Sequence, residues 1–251
     1  DVRAFATADG SRFRKRIGLA EDALVIGHVG RLALEKNLGF LAEGVALALK
    51  AEPRARFLVV GDGPAREEFK AVFEQHGVAD RLLLAGKRTG RVLREAYRAM
   101  DIFVFASKSE TQGMVVAEAM AAGLPVVALN ASGVREVVND KENGFLLRGN
   151  APASEFAEAI GRLLGAKTRT AFVKAAQVTA REFSREKAAE KTLAFYEETR
   201  RATRARRLLH HLSPWSALLQ RVGLEWDLLS SRTQTVAAAV FGENEEKAKA
   251  S

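Results

Sequence analysis

The chain reads Ser109-Glu-Thr-Gln-Gly-Met-Val-Val-Ala-Glu-Ala-Met-Ala-Ala-Gly123 shortly after an apolar run over residues 102–106. The apolar run predicts a buried strand, and the quoted stretch predicts a polar turn and then a short helix that ends at Gly123. Thr111 is the expected cap of this helix, and Gly113 lets a ligand approach the backbone closely. The stretch therefore indicates a strand, a turn and a helix arranged around a ligand.

The N-terminus of the predicted helix has the features of an anion site. Its first turn, residues 114–117, contains no acidic residue, although a helix N-terminus favours one. Free amides and the helix dipole would attract a phosphate there. Glu110 precedes the helix, Glu118 lies inside it, and ionised carboxylates accept hydrogen bonds from sugar hydroxyls. The pattern indicates a phosphate site between two hydroxyl-rich groups; a core helix with two solvated acids is the alternative.

Short apolar runs alternate with helical patterns along the rest of the chain. The predicted strands cover residues 24–29, 57–60, 82–85, 102–105, 126–129 and 145–147, and the predicted helices outside the quoted stretch cover 12–17, 37–50, 65–76, 92–100, 134–138, 154–164, 167–182, 184–207, 214–222 and 225–241. Short apolar strands joined by crossover helices predict a parallel sheet covered on both faces. The expected fold is α/β, with a Rossmann-like, doubly wound parallel sheet of six strands and a helical C-terminal extension.

Glycine-rich turns follow several of the predicted strands, at Gly30, Gly61, Gly86 and Gly113. The carboxyl ends of parallel strands meet at one edge of the sheet, and this is where such folds bind ligands. The gathering of these turns therefore indicates a binding site at that edge.

The segment Gly30-Arg-Leu-Ala-Leu-Glu-Lys-Asn37 places two cations between a strand end and a helix N-terminus. Positive charges are unfavourable near a helix N-terminus, so Arg31 and Lys36 would each cost about 0.3–1 kcal/mol there. Residues that oppose a local preference in this way often serve a function. A bound diphosphate would make the two cations favourable at this position, because Arg binds phosphate bidentately and Lys binds it as a point charge. The alternative is a solvated loop in which Arg31 pairs with Glu35.

The turn Gly61-Asp-Gly-Pro-Ala-Arg66 resembles a dinucleotide fingerprint only at its first two glycines. Arg66 occupies the third position, where close packing of helix on sheet requires glycine. We interpret the segment as a turn near a nucleotide that is not NAD. A plain turn from strand to helix remains the alternative.

The composition excludes several classes of protein. The 251 residues are 47% apolar and include no cysteine, which is ordinary for a globular protein and rules out disulfides and thiolate metal sites. The four histidines lack metal-ligand spacing, so we expect neither a metal nor a bound cofactor. No apolar run reaches the roughly 20 residues that cross a bilayer. The net charge of +8 suggests an anionic partner without choosing one.

Further motifs appear in a fixed order along the chain. They are Asp1-Val-Arg-Ala-Phe5, Gly30-Arg31 with Glu35-Lys36-Asn37, Gly61-Asp-Gly-Pro64, Glu110 and Glu118 with seven residues between them, Ser132-Gly-Val-Arg-Glu136, Gly144-Phe-Leu146 and Phe183-Ser-Arg185. Over about residues 1–200 this series resembles the C-terminal, donor-binding lobe of retaining GT-B glycosyltransferases of group 1 (family 4). Ser132 and the pair Thr111-Gln112 depart from the family pattern, in one loop and near the donor sugar.

The resemblance implies roles for individual residues. Arg31 and Lys36 would hold the donor diphosphate and neutralise the leaving group, and Glu110 would contact the donor sugar. The remaining residues implied in donor binding are Gln112, Gly113 and Met114 through their amides, Glu118 at the ribose hydroxyls, Lys87 and Arg88 beside the base, and the strand-end glycines Gly30 and Gly61.

The resemblance also implies an activity. The chain would be part of a retaining hexosyltransferase that moves a sugar from a nucleotide sugar, with UDP as the expected nucleotide, to a lipid or saccharide acceptor. The family's N-terminal lobe is missing from this chain, so we expect no transfer by the chain alone. Two other functions remain open: an epimerase-like nucleotide-binding module without transferase activity, and a membrane-surface adaptor.

We predict two regions, a nucleotide-sugar-binding lobe at residues 1–200 and a basic, amphipathic helical tail at residues 201–251. Basic residues next to an apolar helix are typical of proteins that lie on an anionic bilayer. We therefore expect a cytoplasmic protein that is peripheral at the inner face of the membrane; a solvated arginine face is the alternative. Nucleic acid is not expected, because no aromatic platform is interleaved with the arginines. The tail residues are Arg200, Arg201, Arg204, Arg206 and Arg207, followed by Leu208, Leu209, Leu212, Trp215, Leu218 and Leu219.

Overall fold

The computed structural model describes residues 1–20, 22–108 and 112–211, with the backbone alone for residues 205–211. Six strands form one sheet in which every neighbouring pair is parallel. The strands are β1 (Leu24–Val29), β2 (Ala55–Val60), β3 (Leu82–Leu84), β4 (Ile102–Phe105), β5 (Val126–Leu129) and β6 (Gly144–Leu147). The predicted six-stranded parallel α/β sheet is confirmed, with strand boundaries within two residues of those predicted.

Nine α-helices are present in the described residues. They are α1 (Val2–Ala6), α2 (Gly10–Arg16), α3 (Leu38–Ala51), α4 (Arg66–Gln75), α5 (Gly90–Arg98), α6 (Met114–Ala121), α7 (Ala153–Leu164), α8 (Ala166–Glu182) and α9 (Arg185–His211). Single turns of 3-10 helix at Leu34–Lys36 and Ala79–Arg81 complete the set of described helices. None of the described helices is both long and apolar enough to span a membrane.

The sheet is doubly wound because its order is β3-β2-β1-β4-β5-β6. Successive side chains of a strand point to opposite faces, so Ile102 and Val104 enter one apolar layer while Phe103 and Phe105 enter the other. Residues of α3, α4 and α7 fill the first layer, and residues of α2, α5, α6 and α8 fill the second. The direction in which successive strands are added to the sheet reverses between β1 and β4. Folds of this class bind ligands at such a point, outside the carboxyl ends of the strands.

Arg14 in α2 ties the amino ends of the central strands together. Its guanidinium donates to the carbonyl oxygens of Ala99 and Ala23 at 2.9 and 3.0 Å and to Asp101 Oδ2 at 2.8 Å. The same carboxylate oxygen accepts from the amide of Val25 at 2.8 Å. One partly buried ion pair therefore satisfies backbone groups at the starts of β1 and β4.

Two local predictions need correction. Residues 134–138 form hydrogen-bonded turns in place of a helix, and the buried side chain of Asn143 accepts from the amide of Asn139 and donates to the carbonyl of Val137 at their end. The five-residue helix α1 was not predicted; the carboxylate of Asp1 caps it by accepting from the amide of Ala4. Both differences concern segments of about one turn, where apolar spacing gives little information.

The chain divides into two compact units, Asp1–Ala188 and Ala189–Ser251. The first contains the sheet with α1 to α8. The described part of the second is helical to His211, and its side chains Leu193, Phe195 and Tyr196 are exposed. The helices predicted at 214–222 and 225–241, and the tail side chains from residue 205 onward, lie outside the described residues.

Candidate functional site

A cleft of about 380 Å³ opens at the carboxyl ends of β1, β2 and β3. Parallel strands end at this edge, so turns that are distant in sequence meet there. The cleft brings together five of the predicted site residues, with Val29, Val60, Asp62 and Leu93 completing its lining; these five are Gly30, Arg31, Gly61, Lys87 and Arg88.

Backbone hydrogen bonds hold the turns that form the cleft. The amide of Gly30 donates to the carbonyl of Val60 at 3.1 Å, the amide of Leu32 to that of Asp62 at 3.1 Å, and the amide of Gly61 to that of Gly86 at 3.0 Å. Gly61 has φ +149°, and a Cβ atom added to it would lie 1.8 Å from the carbonyl oxygen of Gly30. The turn after β2 therefore both lines the cleft and supports the loop after β1.

The predicted diphosphate cations lie on the loop between β1 and α3. Arg31 approaches Glu35 at 3.8 Å, but the two side chains are 68% and 53% exposed. An exposed pair of this kind is weak, so the guanidinium remains available to a ligand. Lys36 ends the 3-10 turn and is partly buried. The pairing of Arg31 with Glu35, expected for a solvated loop, is present without occupying the guanidinium.

Asn37 anchors this loop to the end of β4. Its backbone adopts the left-handed region with φ 54° and ψ 42°, which Asn tolerates better than most residues. Its side-chain amide donates to the carbonyl of Ala106 at 3.1 Å. Because Lys36 precedes Asn37 directly, this hydrogen bond also fixes where the backbone of Lys36 lies.

The N-terminus of α6 has the predicted form with a different cap. Gly113 occupies the N-cap with φ 60°, in place of the expected Thr111, and a Cβ atom there would lie 2.7 Å from the carbonyl oxygen of Gly133. The amides of Val116 and Ala117 donate to the carbonyl of Gly113. The first turn contains no acid, and the amides of Met114 and Val115 have no acceptor among the residues described.

Of the other site residues predicted just before α6, the structure describes Gln112 but not Glu110. Gln112 is exposed beside Gly113, and Glu110 lies outside the described residues together with Thr111. None of the α6 residues lines the cleft at Gly30 and Gly61. The predicted contact of Glu110 with a donor sugar stays a prediction.

Glu118 has a buried partner that sequence reasoning missed. Tyr97 in α5 donates a hydrogen bond from its hydroxyl to Glu118 Oε2 at 2.9 Å. Partial burial raises the pKa of the Glu118 carboxyl, and the hydrogen bond from Tyr97 opposes that rise. The Tyr97 ring is fully buried against Phe103 and Phe5. A tyrosine on the buried face of a helix needs a partner for its hydroxyl, and this was the available signal.

His28 in β1 is the second residue that sequence reasoning missed. It is 2% exposed, with Nδ1 3.1 Å from the carbonyl oxygen of Val104. Its Nε2 is buried and has no hydrogen-bond partner in the described structure. Burial, together with a smaller effect of the positive charge of Lys36, lowers the pKa of His28 to about 4, and the hydrogen bond to Val104 opposes this shift. A histidine within an otherwise apolar strand was the available signal.

The described residues contain no group of three His, Asp or Glu side chains that could hold a metal ion. The chemistry that the described residues offer is that of cations, backbone amides and one partly buried carboxylate. Such groups bind and neutralise phosphates and accept hydrogen bonds from hydroxyls.

Comparisons with known proteins agree on one family. The family profile for Glycosyl transferases group 1 matches residues 23–166. The chain is 35% identical over 207 residues to the D-inositol 3-phosphate glycosyltransferase of Acidothermus cellulolyticus, covering 79% of this chain and 46% of that protein. It is 32% identical over 187 residues to the GDP-mannose-dependent alpha-mannosyltransferase of Mycobacterium tuberculosis, covering 73% and 46%. The chain thus spans about half the length of these curated relatives.

A solved structure shows the same arrangement of strands and helices. Anabaena Alr3699/HepE in complex with UDP matches with a TM-score of 0.70 and 25% sequence identity. The match covers 79% of this chain and 55% of the Anabaena chain.

Proposed function

Since the chain belongs to the glycosyl transferases of group 1, we propose that the cleft at Gly30 and Gly61 binds the nucleoside diphosphate of a sugar donor. One observation carries this proposal: five residues predicted for donor binding line the same cleft. The similar Anabaena structure contains UDP, which is consistent with a ligand of this class.

We propose further that the reaction is retaining transfer of a hexosyl group to a lipid or saccharide acceptor. The similar Anabaena structure contains UDP and one curated relative is named for GDP-mannose, so UDP and GDP are both candidate nucleotides. The chain spans about half of these relatives, and the acceptor lobe would belong to the part it lacks. We therefore expect donor binding, and no transfer, from this chain alone.

The proposed mechanism relies on electrostatic stabilisation of the leaving diphosphate. Arg31 and Lys36 would neutralise the charge that develops when the glycosidic bond breaks. The free amides at the start of α6 would contact the phosphate or the sugar. Glu118, positioned by Tyr97, would accept from the ribose hydroxyls. No step in this scheme requires a metal ion.

Calorimetry with UDP, GDP, ADP and NAD tests the proposal directly. We expect the folded chain to bind at least one nucleoside diphosphate, and to bind NAD poorly, because Arg66 replaces the third glycine of the dinucleotide turn. Failure of a folded sample to bind any nucleoside diphosphate would reject the donor site. Binding of NAD in preference to all three would favour an epimerase-like module.

Lys36→Ala should weaken nucleoside diphosphate binding at least tenfold and leave nucleoside binding nearly unchanged. A charge-assisted hydrogen bond contributes about 1.5–3 kcal/mol, and the variant removes it from the phosphate alone. Titration with UDP or GDP and with the matching nucleoside measures both effects. Lys50→Ala, at the exposed end of α3, is the matched control and should bind as the parent does. Equal losses for nucleotide and nucleoside would contradict the role.

Glu118→Gln should weaken binding of UDP and of a UDP-sugar alike, because the ribose is common to both. Tyr97→Phe should reproduce part of this loss, since it removes the hydroxyl that holds Glu118 Oε2. Glu110→Gln should spare UDP and weaken only the intact donor. Calorimetric titration of the three variants with UDP and with UDP-glucose separates these effects. A UDP defect in Glu110→Gln as large as that in Glu118→Gln would refute the division of roles.

We also propose that the protein is cytoplasmic and peripheral at an anionic membrane surface. The support is the sequence of the tail, in which five arginines between Arg200 and Arg207 precede an apolar segment with two tryptophans. Each basic residue near such a surface contributes about 1 kcal/mol. A lipid acceptor would give this contact a purpose.

A further inference from the structure

His28 places an unsatisfied nitrogen next to Gly30, the first residue of the proposed diphosphate loop. A Cβ atom added to Gly30 would lie 3.1 Å from His28 Nε2, so the tip of the imidazole ring faces the backbone of Gly30 from below. Gly30 also lines the cleft, whereas His28 is not among the lining residues. Gly30 is therefore a neighbour both of the ring and of the cleft.

The hydrogen bond at the other ring nitrogen fixes the tautomer. Nδ1 lies 3.1 Å from the carbonyl oxygen of Val104, and a carbonyl oxygen only accepts hydrogen bonds. Nδ1 therefore carries the proton, and Nε2 of the neutral ring keeps its lone pair. A buried lone pair without a donor costs free energy, because water no longer satisfies it. The ring is thus held ready to accept a proton at Nε2.

The groups around the His28 ring decide whether Nε2 accepts a proton. Phe103 and Phe105 stack on it from β4 at centroid distances of 6.3 and 6.1 Å, and the neighbouring residue on β2 is Val59. Within the described residues, Lys36 is the charged group that acts on the ring, and its positive charge disfavours imidazolium. No described carboxylate balances this effect, so the protein alone keeps His28 neutral.

We propose that His28 takes up a proton from solvent when a diphosphate occupies the cleft above Gly30. The proton binds to the lone pair of Nε2, no other bond changes, and the imidazole becomes imidazolium. The proposal rests on the proposed function, because it requires the diphosphate at this loop. The negative charges of the ligand would outweigh Lys36 and favour the charged ring.

The consequence for the reaction is an adjustable positive charge under the leaving group. Release of a nucleoside diphosphate from its sugar leaves an additional negative charge on the terminal phosphate. A protonated His28 would stabilise that charge through space, together with Arg31 and Lys36. His28 would therefore act on the phosphates without contacting them.

Because the ligand-bound protein would hold more protons than the free protein, binding should strengthen as the pH falls. In the free protein, burial first and Lys36 second lower the pKa of His28 to about 4, so the effect should begin near the raised pKa of His28 in the complex and level off near pH 4. The affinity of the parent relative to a non-titrating variant should rise by at most about tenfold for each pH unit.

Calorimetry in buffers of different ionisation enthalpy measures the protons taken up. UDP is the probe, with GDP used in its place if UDP does not bind. His28→Asn is the test variant, because its amide can still donate to the Val104 carbonyl while it cannot titrate. Below the pKa of His28 in the complex the parent should take up more protons than His28→Asn, up to about one proton for each nucleotide bound. Proton exchange by the nucleotide itself is common to both proteins and cancels in the difference.

His76→Gln is the matched control. His76 also has a buried, unpartnered ring nitrogen, Nδ1, but it lies at the end of α4, where Nε2 contacts Glu43 at 2.8 Å. This variant should take up as many protons as the parent. Nitrogen-15 NMR of the histidine rings in the unaltered chain, with and without nucleotide, gives the same information without any substitution.

The possible outcomes separate the two proposals. Nucleotide binding with extra proton uptake that disappears in His28→Asn, or a His28 ring that becomes protonated on binding, supports the inference. Binding with equal uptake in both proteins and an unchanged His28 ring overturns the inference and leaves the donor site standing. Absence of all nucleoside diphosphate binding overturns both.

Discussion

Gly61→Ala should destabilise the chain by about 3 kcal/mol and weaken nucleoside diphosphate binding more than tenfold. The added Cβ atom would lie 1.8 Å from the carbonyl oxygen of Gly30, at a backbone φ of +149°. Overpacking of a close contact costs about 1–3 kcal/mol, and an unfavourable backbone conformation costs a similar amount. The Gly30 loop would have to move, and that loop contains the first residues of the proposed phosphate site.

Denaturant unfolding and calorimetry with UDP or GDP measure the two effects of Gly61→Ala. Gly161→Ala is the matched control, because Gly161 lies in α7 with no atom within 4 Å of the added Cβ. Alanine is a better helix former than glycine by up to about 1 kcal/mol, so this variant should be as stable as the parent or more stable. Parent-like stability and binding in Gly61→Ala would show that the two turns are not coupled.

Acid should destabilise the chain through His28 by up to about 3 kcal/mol between pH 6.5 and pH 4. The pKa of His28 is lowered from 6.5 to about 4 in the folded chain, mainly by burial. In this interval the unfolded chain binds a proton that the folded chain does not, so stability is present above pH 6.5 and is lost as the pH falls. Each unit of pKa difference corresponds to about 1.36 kcal/mol.

His28→Asn should flatten this dependence, which denaturant unfolding at several pH values would measure. Glu118 acts in the opposite direction, because its raised pKa favours the folded state at low pH and the contribution is lost as the pH rises. The difference between the parent and His28→Asn removes the Glu118 contribution, which both proteins share. Identical slopes in the two proteins would mean that His28 titrates normally in the folded chain.

Much of the fold could be predicted because its strands are short, apolar and buried on both faces. The run at residues 102–105 has no polar residue and was placed correctly as β4. The start of β2 was placed two residues late, since Arg56 interrupts the apolar run while the strand begins at Ala55. The cap of α6 was assigned to Thr111 because side-chain caps are common, whereas the close carbonyl of Gly133 selects a left-handed glycine.

The candidate site, like the fold, could be predicted only in part from the sequence. Residues that follow strands could be assigned to one edge of the sheet, and the structure brings five of them into one cleft. His28 and Tyr97 could not be assigned, because their roles depend on partners from other elements. Val104 is 76 residues from His28, and Glu118 is 21 residues from Tyr97. No periodicity within one strand or helix contains that information.

The hydrogen bonds of Arg14 join α2 to the packed core that contains the sheet. The family profile begins to match only at residue 23. Arg14 nevertheless supplies donors to Ala23, Ala99 and Asp101, and the neighbouring Phe13 is only 1% exposed. A polypeptide cut at residue 23 would lose these donors and leave a void in the second apolar layer. We therefore expect a stable fragment to require α2, although the profile match starts after it.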